Sequence, residues 1–318
     1  MSRTTLGRTG IEVSDFCLGT MTFGNQTPEA EAHEQLDLSL EAGLDFLDTA
    51  EMYPVNPVRA ETVGRTEEII GNWNAKTGRR KEWIIATKHT GRSDMVRKGQ
   101  PIGPDTVRKA VEGSLRRLQT DYIDLYHIHV PDSTTAIEET LRAFDDLVKS
   151  GKVRYIGCSN FAAWQLCESY WTAKSSNLPS FVSVQSRYNI LEREIEKELV
   201  PCCEAYHIGV IPWGPLSGGF LTGKYTKGMK PKIEGKQPKP PALYDPIFLD
   251  DHWDRITKLE QFALERGHQL ADLAIAWLLL KPYVSTVIAG VRTKKQVSAN
   301  VAATEWKLTA EEAKEVEG

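Results

Sequence analysis

Four residues of unlike chemistry stand at or just beyond the ends of short β-rich runs. Asp48 lies in Phe46–Thr49 and Tyr53 in the loop after it, Lys88 ends Trp83–Lys88, and His129 ends Tyr122–His129. Singly, each has a plain structural explanation: a helix or turn cap, a loop phenol with its hydroxyl in solvent, a surface lysine, a hydrogen-bonded histidine. Together they make a proton-donating site. A phenol with an ordinary pKa of about 10 is too weak an acid to protonate an oxyanion readily at neutral pH. A neighbouring ammonium favours the phenolate and lowers that value. In a cleft the ammonium needs a counter-ion, which Asp48 can supply, and His129 can donate a hydrogen bond to a carbonyl oxygen. Such a site polarises and protonates a carbonyl that receives a hydride. No side chain supplies a hydride, so a nicotinamide cofactor is implied.

Further along, Ser159, Asn160 and Gln185 end the next two runs, and a hydroxyl and two amides are suited to fix a carboxamide. Trp213 can stack on a flat ring or fill a core. The stretch Gly214–Gly223 is glycine-rich, so its backbone can approach a pyrophosphate. Arg292 and Lys294 lie at the start of a helical segment, where a phosphate is favoured and where solvated charge is equally at home.

Eight runs of four to eight residues must position these groups: Phe16–Thr20, Phe46–Thr49, Trp83–Lys88, Tyr122–His129, Arg154–Asn160, Val182–Gln185, Val210–Trp213 and Ser285–Gly290. Most lack polar alternation, as parallel strands buried on both faces do. Helical periods separate them. Val107, Val111, Leu115 and Leu118 share one face, as do Ile137, Leu141, Phe144 and Val148, and further helices are expected over Pro28–Ala42, Leu270–Leu280 and Thr293–Ala303. The repeat predicts an α/β protein, a (β/α)8 TIM barrel, over a doubly wound sheet, which would be expected to carry G-x-G-x-x-G after a strand. Residues 4–13 predict a β-hairpin capping the barrel bottom, and Lys224–Asp250 a long loop. Residues 1–318 are expected to form one domain.

The chain has 39 Lys+Arg against 43 Asp+Glu, a net charge of −4, which argues against a nucleic-acid binder. Five cysteines without a C-x-x-C pair suit a reducing compartment, and the polar N-terminus and the absence of a long apolar run predict a cytoplasmic protein without signal peptide or membrane insertion. A homo-oligomer is compatible with this composition. His127 and His129 share a strand face and open a rival reading, a metal-dependent barrel hydrolase, but a third protein ligand does not emerge and no metal is expected.

These residues occur in stretches that resemble the aldo-keto reductases from Leu6 to Asn300. The stretches are Gly7–Ser14, Leu18–Gly24, Phe46–Tyr53, Asp121–His129, Val153–Asn160, Pro215–Lys224 and Gly290–Asn300. Glu51-Met-Tyr-Pro54 is similar to the branch of Tas-type bacterial reductases and potassium-channel β-subunits. The resemblance implies a catalytic tetrad of Asp48, Tyr53, Lys88 and His129, with Tyr53 as proton donor. It implies NADP(H), with NAD(H) as the alternative, across the barrel top. Its contacts would fall on Gly19, Thr20, Met21, Asp48, Ser159, Asn160, Gln185, Trp213, Gly214, Leu216, Ser217, Gly219, Lys224, Gly290, Arg292, Gln296 and Asn300. Ala299 stands where the family often carries Glu, and Gly290 where other branches carry a basic residue, so Arg292 and the adjacent lysines are left to meet a 2′-phosphate. The implied activity is reduction of a small aldehyde or ketone, for which Phe23, Tyr53 and Tyr188 would be suitable pocket aromatics. A channel-type relative implies an alternative, an NADPH-sensing regulatory subunit of a membrane protein.

Overall fold

The computed structural model describes residues 1–55, 57–91, 93–225 and 246–317. Two short strands, β1 (Arg3–Thr5) and β2 (Glu12–Ser14), pair antiparallel with Thr4 opposite Val13. Eight parallel strands follow: β3 (Phe16–Gly19), β4 (Phe46–Asp48), β5 (Ile84–His89), β6 (Ile123–Ile128), β7 (Val153–Ser159), β8 (Ser183–Arg187), β9 (Gly209–Trp213) and β10 (Val287–Gly290). They close in chain order, β10 returning to β3, so the fold is a (β/α)8 barrel. Each of the eight runs expected from the sequence is a barrel strand, with shifted ends. β8 continues to Arg187, and β6 stops at Ile128, which leaves His129 as the first residue beyond it.

Around the barrel run α1 (Glu29–Glu41), α2 (Arg65–Thr77), α3 (Asp94–Arg97), α4 (Pro104–Leu118), α5 (Ile137–Lys149), α6 (Ala163–Ser175), α7 (Leu199–Tyr206), α8 (Pro246–Glu265), α9 (Leu270–Leu279), α10 (Lys294–Ala303) and α11 (Ala310–Glu317). The periodic faces account for their burial: Val107, Val111, Leu115 and Leu118 of α4 and Leu141 and Phe144 of α5 are all buried. Of the expected long loop Lys224–Asp250, residues 226–245 lie outside the described residues, and Pro246–Asp250 already belong to α8.

The barrel interior is stratified. Its floor is apolar: Cys17, Phe46, Ala86, Leu125, Val182, Ile211 and Ile288 pack on Leu6 and Val13 from the β1–β2 hairpin, which closes the end where the strands begin. Gly7, with φ +51°, lets the hairpin fit there, because a Cβ would come within 2.1 Å of the Val182 carbonyl oxygen. Side chains two residues apart on a strand share a face. One step above Phe46, Ala86 and Leu125 on the inner face therefore stand Asp48, Lys88 and His127. The apolar floor thus gives way to a polar rim where the strands end, the end that carries the active site in barrels of this kind.

Candidate active site

Lys88 is fully buried, and its Nζ donates to Asp48 Oδ1 at 2.6 Å and to the Thr49 carbonyl at 2.8 Å. The second Asp48 oxygen accepts from Gln185 Nε2 at 2.8 Å. Breaking such a buried pair from one side is costly, whereas a fully hydrogen-bonded one persists. Lys88 Nζ lies 5.0 Å from the centre of the Tyr53 ring, and that ring meets His129 edge-on at 5.9 Å between centroids. The barrel therefore brings Asp48, Tyr53, Lys88 and His129 to one place from three strand ends and a loop.

Burial would lower the Lys88 ammonium, but Asp48, and then Tyr53, outweigh it and hold its pKa above the ordinary value. For Tyr53 the balance runs opposite to the expectation from sequence. Lys88 does pull the phenol downward, but desolvation is larger and Asp48 adds to it, so Tyr53 stands above its ordinary value. It is thus a protonated phenol at neutral pH, available as a donor. His129 is pushed down to about 3, first by burial and then by Lys88 and His89, so its imidazole is neutral.

Two other histidines are also neutral in the fold. Burial, aided by Lys88 and His129, drives His127 far down, and burial takes His89 to about 4 against Glu51, which pulls it up. Both sites favour the unprotonated form, so the stability they contribute is present above the unfolded value of about 6.5 and is lost as pH falls below it. Each histidine is expected to cost up to about 1.4 kcal/mol per pH unit between about 6.5 and 4. Urea midpoints measured from pH 7 to 4.5 should fall, and less steeply in His89→Gln. An equal slope in that variant would remove His89 from this balance.

The other residues singled out in the sequence lie around the same rim. Gly19 pairs with Gly290 and with Asp48, and a Cβ on Gly19 would sit 2.9 Å from Ile288 Cγ2. Thr20 Oγ1 donates to the Asp48 carbonyl at 2.8 Å, and the Met21 carbonyl accepts from Val55 N. Asn160, at φ +60°, ties four strand ends together. Its Nδ2 donates to the His129 carbonyl and Ser159 Oγ (3.0 and 3.1 Å), its Oδ1 accepts from Trp213 Nε1 (3.1 Å), and its backbone N donates to the Gln185 carbonyl. Trp213 is half-buried, not a core tryptophan.

Beyond β9, Gly214, Ser217, Gly218 and Gly219 all have positive φ, so the backbone turns sharply past half-buried Leu216. A Cβ on Gly219 would lie 3.1 Å from Lys224 Nζ. Lys224 is lowered by burial and by the nearby charge of Arg292. Arg292 N donates to Gln296 Oε1 at 2.7 Å, Thr293 caps α10, and Asn300 is buried on that helix. Lys294 pairs with Glu34 at 2.8 Å. A glycine turn flanked by two like-charged, mutually repelling cations suits a polyphosphate.

Some expectations do not hold. Phe23 and Tyr188 are fully buried, and the Tyr188 hydroxyl bonds Glu196 and Tyr283, so neither aromatic walls a pocket. His127 Nε2 contacts Ser183 Oγ at 3.0 Å, in space that Gly157 leaves open, since a Cβ there would come within 2.2 Å of the imidazole. Among the described residues no group of three or more His, Cys, Asp or Glu side chains is placed to hold a metal ion. The sequence reading also missed a buried ion pair between Glu51 and Arg97, and the Arg187–Glu192 pair at 2.7 Å beside Trp213. An acid two residues before Tyr53 was the available signal for the first.

Comparison with known proteins agrees with this architecture. The family model described as "Aldo/keto reductase family" matches residues 15–318. "Uncharacterized oxidoreductase YrpG" of Bacillus subtilis is 37% identical over 98% of this chain and 93% of its own length. "Protein tas" of Escherichia coli is 35% identical over 96% of this chain and 94% of its own length. A "Probable voltage-gated potassium channel subunit beta" of Oryza sativa subsp. japonica is 35% identical over 94% of this chain and 89% of its own length. With its closed parallel barrel and a match over nearly the whole chain, the protein belongs to the aldo/keto reductase family.

Proposed function

We propose that residues 1–318 act as a single NADP(H)-dependent oxidoreductase domain that reduces an aldehyde or ketone to the alcohol, and reversibly the reverse. The observation that carries this reading is the buried Lys88–Asp48 pair beside a protonated Tyr53 and a neutral His129. Bound NADPH supplies the hydride. Tyr53 donates its proton to the carbonyl oxygen, and the Lys88 ammonium, anchored by Asp48, stabilises the phenolate left behind. His129, uncharged, donates a hydrogen bond that orients the carbonyl without competing for the proton.

Ser159, Asn160 and Gln185 would hold the carboxamide, and Trp213 would cover the ring. The turn at Gly214, Leu216, Ser217 and Gly219, with Lys224, would hold the pyrophosphate. Gly290, Arg292, Gln296 and Asn300 would hold the adenosine end, with Gly19, Thr20 and Met21 on the opposite rim. The mutual repulsion of Lys224 and Arg292 supports this fit, because an anion between them relieves it. Lys294 is engaged with Glu34, which leaves Arg292, with Lys295 nearby in sequence, for a 2′-phosphate. Arg292→Ala is expected to raise the Kd of NADPH about tenfold and that of NADH far less, by fluorescence titration. Equal losses for both would assign NAD(H) no disadvantage and remove Arg292 from that role.

We place the protein in the cytoplasm, on its five free cysteines. Among the described residues no helix is long and apolar enough to cross a membrane. The similarity to a channel subunit favours a second reading, a regulator that senses NADPH. The test is NADPH oxidation against a panel of aldehydes and ketones. Many turnovers per chain support the reductase, while a single turnover with retained cofactor supports the sensor.

A further inference from the structure

Glu51 sits two residues before Tyr53 in the loop after β4 and is 3% exposed. Its Oε1 accepts from Thr90 N at 2.6 Å, and both its oxygens accept from Arg97 Nη2 of α3. Asp132, three residues beyond His129, accepts from Ile102 N at 2.9 Å through Oδ2, while its Oδ1 holds Thr134 N and Oγ1. Thr90, Arg97 and Ile102 are thus tied to two carboxylates. One carboxylate rides on the loop that carries Tyr53 and the other follows His129. Between them, the His89 carbonyl accepts from His129 N at 2.9 Å, and His89 Nδ1 accepts from Gly91 N.

Taking two charges into this interior is expensive, and an apolar pair of similar volume would fill the space as well. What the ion pair adds is direction: a carboxylate shared by an amide and a guanidinium admits one arrangement of the two loops. Burial alone would raise the Glu51 carboxyl, yet His89 in its charged form, Arg97 and the Thr90 amide hold it below the ordinary range. At neutral pH, with His89 uncharged, Arg97 and the amide keep it ionised.

Resting on the carbonyl-reductase reading, we propose that Glu51 is a positioning residue, whose clamp on Thr90 and on Arg97 of α3 fixes the loop that carries Tyr53 and keeps Tyr53 at its donating position. Misplacement by even an ångström lowers the rate of a positioned reaction, so the clamp shows in catalysis as well as in stability. Loss of either end therefore shows in kcat, through the placement of Tyr53.

The test uses the full chain with NADPH and benzaldehyde, comparing Glu51→Gln, Arg97→Met, the double variant and Arg97→Lys. Glu51→Gln and Arg97→Met are each expected to lower kcat for benzaldehyde about tenfold, with the KM for NADPH unchanged. The double variant should be little worse than the poorer single, because both break one contact, and Arg97→Lys should recover most of the loss. Hydrogen exchange should be faster in peptides covering 90–103 of Glu51→Gln while β5 and β6 keep their protection. Additive losses in the cycle, or unchanged exchange in 90–103, would overturn the clamp. A wild type that turns over no carbonyl overturns the reductase reading instead, and the exchange result then decides the clamp alone.

Discussion

Tyr53→Phe is expected to lower kcat for carbonyl reduction by about 10²- to 10⁴-fold, the usual contribution of a positioned general acid. The Kd of NADPH should change by less than about twofold, since only a hydroxyl is removed and the ring that meets His129 remains. The raised pKa of Tyr53 gives a companion expectation for the wild type. Its phenol keeps the proton past its ordinary value, so the rate should not fall on the alkaline side below about pH 10. Steady-state rates with a fixed aldehyde from pH 6 to 10, for wild type and variant, check both. A variant that keeps most of its kcat would show that another group donates the proton.

Lys88→Met should damage both stability and activity. The Asp48 carboxylate would stay buried with only Gln185 Nε2 and no cation, and stranding a charge in this way costs about 3–5 kcal/mol. Urea unfolding should report that loss, and kcat should fall because the phenolate formed on Tyr53 loses its neighbouring charge. The double variant Asp48→Asn/Lys88→Met separates the two effects. It removes both charges, so most of the stability should return while kcat stays low. If activity returned with stability, Lys88 would serve the fold alone.

The barrel was legible because parallel strands covered on both faces leave an unbroken apolar signature, and all eight of its runs were readable at short range. The grouping of Asp48, Lys88 and His129 was legible for the same reason, since each lies at or next to the end of a strand. What escaped depends on contacts far apart in the chain. Glu51 meets Arg97 across 46 positions, and nothing local marks that pair as buried. Phe23 and Tyr188 were read as pocket aromatics because an aromatic near a strand end looks the same whether it faces the rim or the helical shell. The direction of the Tyr53 shift needed a comparison between desolvation and Lys88, and only the surroundings of the ring decide it. Asn160 was readable as an amide, but not as the tie between His129, Ser159 and Trp213.

The central claim is that this rim delivers a proton to a carbonyl that accepts a hydride from NADPH. The direct measurement is mass spectrometry of the alcohol formed from an aldehyde with NADPH dideuterated at C4. The account predicts one deuterium on the former carbonyl carbon with the wild type and almost no product with Tyr53→Phe. An alcohol without deuterium, or no alcohol from any aldehyde or ketone while NADPH stays bound, would contradict it.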